Sequence, residues 1–162
     1  MIVDCFRFLP RSFRAAYELE PAGEPDVWSD FTVRLADASI TLLSSAGLYV
    51  AATQEPFDLD RERAEPTWGD PSHRVIPYDA DVLGMAHLHV NDTDVRADRN
   101  VALPLDVLAD FVAQGIVGAS SPNHVSVMGY QGDLVDWRTR TAPEIVGVLQ
   151  AQGTNGVVLA PV

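Results

Sequence analysis

Ile40-Thr41-Leu42-Leu43-Ser44-Ser45, running into Ala46-Gly47, is the stretch on which the fold turns. Its apolar and β-branched residues lack the strict polar alternation of a half-solvated strand, so it reads as a short strand buried on both faces. Ala46-Gly47 then supplies a turn at the C-terminal end, where open α/β sheets place their ligands. Outward from it, His73–Tyr78 and Val82–Val90 are the next strand candidates. They lie beyond a proline- and acid-rich excursion, from about Ala52 to His73, that Phe57 and Trp68 can anchor. Pro104–Gly115 predicts a helix, with proline in its first turn, Leu105, Leu108 and Val112 at helical spacing, and glycine as the stop. A strand from His124 to Met128, a turn at Gly129 and a helix from about Thr141 to Gln152 come next. Gly156–Val162 is a last apolar strand.

Strands alternating with helices across short loops predict a three-layer α/β domain with a mostly parallel sheet. The final strand is expected to be buried, leaving its edge incomplete unless a partner or a further segment covers it. The organisation expected is one domain over 1–162, with an N-terminal arm at 1–35 and a core at 36–162. The arm mixes Phe6, Phe8, Phe13, Tyr17 and Trp28 with Arg7, Arg11 and Arg14, a basic trio able to hold an anion but better read as a solvated face.

A formal charge of −12 argues against nucleic acid and anionic membrane as partners, since both need clustered positive charge. All 11 basic residues are arginine, so neither a lysine Schiff base nor a lysine-bearing phosphate loop exists in these residues. Cys5 is the single cysteine, which rules out an internal disulfide. No apolar run reaches membrane-spanning length and no signal-peptide layout is seen, so a soluble, cytoplasmic protein is expected. No glycine-rich dinucleotide fingerprint follows any strand.

Several clusters suit a site. His87 and His89, placed on a strand, would project from one face and could share a divalent metal such as zinc. Asp94, Asp98 and Asn100 follow closely enough to add oxygen ligands or to hydrogen-bond loop backbone. Ser44, Ser45 and Gly47 end the first strand, where backbone amides suit a carboxylate or simply form a tight turn. His124 precedes a strand with Ser126, Met128 and Gly129, and reads as either a core histidine or a catalytic one.

LLSSAGLYV at 42–50, GDPSHRVIP at 69–77, AHLHVNDTDVRADRNVALPLDVLADFVAQGIVG at 86–118, NHVSVMGY at 123–130 and GTNGVVLAPV at 153–162 stand in a telling order. In order and approximate spacing they resemble the selenoprotein B subunit of the D-proline and glycine/sarcosine/betaine reductases, over about Ile40 to Val162. The resemblance implies reductive C–N cleavage of a small amino acid or N-substituted amine, a selenocysteine directly after the last strand, a pyruvoyl group on a partner subunit, and an oligomer. The family pattern keeps His87, Asp94, Asp98 and Asn100 and a block like that of His124, Met128 and Gly129; the candidate catalytic residues are therefore His87, Asp94, Asp98 and His124, and the candidate substrate contacts Ser44, Ser45, Gly47, Asn100, Met128 and Gly129. His89, Val90 and Asn91 depart from the pattern, which usually has a small residue, tyrosine and aspartate there. The chain carries no nucleophile at the matching place, so as written it is expected to be incompetent alone. Selenocysteine is encoded by UGA, and the nucleotides after the Val162 codon test whether a stop was read in its place. A repurposed binding or assembly protein without redox chemistry, and a metal-dependent enzyme using His87 and His89, are the alternatives.

Overall fold

A computed structural model describes residues 29–162; the readings made on 1–28, including Cys5 and the arginine trio, lie outside the described residues. The chain divides between Asp30 and Phe31 into two units, and the second carries every strand and helix named below. In order they are β1 (Ser39–Ser44), β2 (Leu48–Val50), α1 (Leu59–Ala64), β3 (His73–Pro77), β4 (Leu83–Met85) and α2 (Thr93–Ala97). Then come α3 (Leu105–Ala113), β5 (Ala119–Ser120), β6 (Asn123–Val127), α4 (Ala142–Ala151) and β7 (Gly156–Ala160).

β1 is the axis of the main sheet. One of its edges carries β5 and then β6, both parallel, and the other carries parallel β7 from Ile40↔Gly156 to Ser44↔Ala160. β3 joins β6 antiparallel, so the sheet is mostly parallel, with β2 and β4 forming a separate antiparallel pair. Helices cover both faces. Ile40 and Leu42 pack with Leu103, Leu105 and Leu108 at α3, while Leu43, Val125 and Val127 on the opposite face pack against Ile145 and Leu149 of α4. This is the three-layer α/β arrangement.

Both long helices stop as their sequences dictate. Gly115 and Gly153 adopt φ of +70°, and the Ile116 and Thr154 amides reach back to Phe111 and Leu149. These are Schellman caps, in which glycine avoids the penalty of a left-handed residue. Pro143 stands in the first turn of α4, and a π turn at Trp137–Thr141 leads continuously into that helix, with the Ala142 amide bonding to the Trp137 carbonyl. A widened turn relieves the clash that a proline ring makes with the carbonyl four residues earlier.

Two strand readings need correction. The Val82–Val90 strand is confined to Leu83–Met85, because its partner β2 spans only three residues and the Ala86 amide bonds to the Gly47 carbonyl. His87, Leu88 and His89 therefore lie beyond the ladder. The final strand exists but is not buried: Val157, Val158 and Leu159 are 38, 48 and 68 % exposed. Among the described residues β7 has β1 as its single neighbour, so an apolar strand of the buried kind sits at an edge.

Candidate functional site

The parallel strands β1, β6 and β7 end on one rim. There the Ser44 hydroxyl accepts the Ala46 amide, and the Ser45 hydroxyl accepts the Val162 amide at 2.9 Å while donating to its carbonyl at 3.4 Å. The Ser45 amide also donates to the Ala160 carbonyl. Gly47 turns the chain with φ +64°; a Cβ there would stand 2.2 Å from the Ala86 carbonyl oxygen and 2.6 Å from the Met128 sulfur. Only glycine fits, because both the conformation and the space forbid a side chain. Its amide bonds to the Val127 carbonyl, and the Leu48 amide to the Ser126 hydroxyl, stitching β2 onto the end of β6. A Cβ on Gly129 would meet Ser45 atoms at 3.4 Å, so the β1 and β6 turns lie side by side. Ser44, Ser45, Gly47, Met128 and Gly129 are thus brought together.

His87 joins this rim. It shares with Glu62, Trp68, His89, Met128 and Tyr130 a cavity of about 250 Å³ between α1 and the 87–89 turn. Its Nδ1 accepts the His89 amide at 3.1 Å, which assigns the proton to Nε2. Burial, with His89 adding to it, holds the His87 pKa below the ordinary histidine value, so the ring is neutral at pH 7. The His87 and His89 rings meet edge-on with centroids 6.1 Å apart. They lie off the strand, and among the described residues no three histidine, cysteine, aspartate or glutamate side chains cluster to hold a metal.

Asp94, Asp98 and Asn100 sit elsewhere. The Asp98 carboxylate accepts both the Asn100 amide and its side-chain N–H at 2.9 Å. Asn100 in turn accepts the Asp106 amide and donates to the Asp106 carboxylate, and Arg99 pairs with Asp106 at 2.6 Å and bonds the Ala80 carbonyl. Arg99 and Asn100 together hold the Asp106 carboxyl below its usual pKa. This network fixes the entry to α3, and Asp98 lines a different cavity from His87. Asp94 is an exposed first-turn residue of α2.

His124 lies toward the other end of the sheet, fully buried. The run from β5 to β6 breaks at Ser121-Pro122, and across that gap His124 Nδ1 accepts the Leu42 amide at 3.0 Å. Nε2 then carries the proton toward the Ser120 hydroxyl at 3.2 Å. The imidazole replaces a ladder carbonyl, and burial lowers its pKa to about 4.

Sequence reasoning missed Glu62 and Tyr130 and took Trp68 only as an anchor. Glu62 is 8 % exposed although it sits in the charged run Arg61-Glu62-Arg63. One signal was available: Phe57, Glu62 and Trp68 punctuate an excursion too long to be a mere connection.

The fold is an α/β domain whose rim turns and cavity gather at the C-terminal ends of its parallel strands, the place where such sheets commonly bind ligands. The chain is similar to the D-proline reductase subunit gamma of Acetoanaerobium sticklandii, with 33% identity over 141 residues. The match takes in 86% of this chain and 54% of that protein, so the chain spans about half the length of the curated relative. No family model matches the chain, and no solved structure does. Among the described residues no helix is long and apolar enough to cross a membrane.

Proposed function

We propose that the chain is a subunit of a selenoprotein B-type reductase, whose rim takes part in reductive C–N cleavage of a small amino acid or N-substituted amine. The observation that carries this reading is the 33% identity to a D-proline reductase subunit over 141 residues, a stretch long enough to take in rim turns as well as core. A selenolate or thiolate nucleophile and a pyruvoyl group, supplied from outside these residues, would provide the bond-breaking chemistry. The chain's own part is positional. Ser45 clamps the backbone at Val162 to the end of β1, so that whatever β7 presents is held beside the β1 and β6 turns. His87, neutral and carrying its proton on Nε2, is suited to donate a hydrogen bond without adding charge. Partners are supported by the exposed apolar trio of β7, an edge that invites another polypeptide to extend the sheet.

The test is reconstitution of the chain with a pyruvoyl-bearing partner subunit, a selenocysteine- or cysteine-bearing segment or subunit that supplies the nucleophile, a dithiol reductant and D-proline, glycine, sarcosine or betaine. Reductive cleavage that depends on this chain, and that falls at least tenfold in Ser45→Ala, is the result expected. Failure of the chain to associate with such a partner, together with no cleavage of any of the four, sinks the reading.

A further inference from the structure

Glu62 is buried to more than nine-tenths, yet among the described residues it makes no ion pair. Its Oε1 accepts the Asp70 amide at 3.3 Å, and Oε2 has no protein partner among the described residues. Among the described residues the fully enclosed, partnerless side-chain polar atoms are Gln131 Oε1 and Trp137 Nε1; Glu62 is not one of them, and it lines the cavity. Among the described residues the nearby arginines are engaged elsewhere: Arg61 lies over Trp68 and pairs with Glu65, Arg63, which also lines the cavity, pairs with Asp60, and Arg74 lies over Phe57 and bonds Ser72. A buried anion without a counter-ion is costly, and structures retain one where a ligand supplies the missing charge.

The remaining walls suit a cation. Trp68 and Tyr130 offer aromatic surface, Met128 a polarizable sulfur, and His87 a ring kept neutral by burial. At about 250 Å³ the cavity lies below the roughly 300–1,000 Å³ of sites for drug-sized ligands, so its occupant is small. We infer that this cavity binds a small alkylammonium cation, with Glu62 as its anionic anchor and Trp68 and Tyr130 as its aromatic walls. Burial raises the Glu62 pKa, with Asp70 and Asp58 adding to the rise and the Asp70 amide and His89 opposing it, and a cation bound beside it acts in the opposite, lowering sense.

The inference deepens the proposed function by naming the ligand class of the rim. It rests on that reading only for the ligand being a substrate, and binding is measured without turnover so that the two can fail separately. The full 162-residue chain is titrated with trimethylammonium chloride, with tert-butanol as the neutral isostere and acetate as the anion, by calorimetry and by amide chemical shifts. Trimethylammonium is expected to bind and to shift amides at 62, 68, 87–89 and 130, with affinity at least tenfold weaker in Glu62→Gln and about fivefold weaker in Trp68→Leu. Glu62→Asp, which shortens the side chain but keeps its charge, should bind better than Glu62→Gln, and thermal melts of both variants separate a mere folding defect. Equal binding of tert-butanol, equal affinity in folded Glu62→Gln, or no binding by the folded wild-type chain would each overturn the inference.

Discussion

The two ends of the sheet treat their polar groups in opposite ways. At the N-terminal end of β1, Thr41 bonds the Ser121 and Thr154 hydroxyls at 2.8 Å and accepts Gln152 Nε2 at 3.0 Å, while His124 spends both ring nitrogens on Leu42 and Ser120. At the C-terminal rim, Glu62 keeps an oxygen and His87 a nitrogen facing a cavity, without protein partners among the described residues. Buried polar groups are stabilising once satisfied and costly when they are not. The first end therefore reads as construction and the second as a place kept ready for something else. The Asp98–Asn100–Asp106 network behaves like the first end, although its residues follow His87 closely in sequence.

The contrast can be broken experimentally. The largest effect belongs to Gly47→Ala, which places a side chain in left-handed backbone against Ala86 and Met128 and should cost roughly 3 kcal/mol or more, read from denaturant midpoints. A near-neutral result would mean the rim is not rigid. His124 comes next. Its folded pKa of about 4 lies below the unfolded value of roughly 6.5, so the unfolded chain binds the proton more readily between those values. Stability should be complete above pH 6.5 and decline by roughly 3 kcal/mol as pH falls toward 4. His124→Leu should remove that contribution to the pH dependence and leave the Leu42 amide unpaired, at about 1–3 kcal/mol. An unchanged acid limb in the variant would place the titrating group elsewhere.

Asn100→Ala should lose about 1 kcal/mol through the loosened entry to α3, with cavity binding unaltered. Were it to abolish ligand binding while the melt stayed put, the loop would belong with the rim. His87→Ala should move stability least, by about 0.5 kcal/mol or less, since the half-buried ring accepts one backbone amide. Its expected signature is functional, a loss of about tenfold in ligand affinity or turnover, and a silent variant would remove His87 from the site.

Much of the layout was legible in the residues. The Ile40–Ser45 run, the proline and glycine that bound α3, and the glycine ending α4 act through local sterics that a short window carries entire. The rim turns at Ser44–Gly47 and Met128–Gly129 were also readable, since strand ends follow from strands. The roles of individual polar residues were not. His87 and His89 carry the alternation of a strand, but the ladder stops at Met85 because β2 does. His124 looked as eligible for chemistry as His87; only the gap at Ser121-Pro122 gives it a carbonyl's task. Glu62 hides in a charged helix because burial is a property of what packs over it.

By itself, the amino-acid sequence determined an α/β domain built around one central strand, an anionic composition without lysine, and turns at one end of the sheet, because propensity, periodicity and glycine sterics are local. Tertiary structure alone decided which polar groups are spent and which are left open, and that among the described residues β7 stands at an edge with its valines and leucine exposed. Partnering between residues distant in the chain depends on how elements meet in space, and no local pattern encodes that meeting.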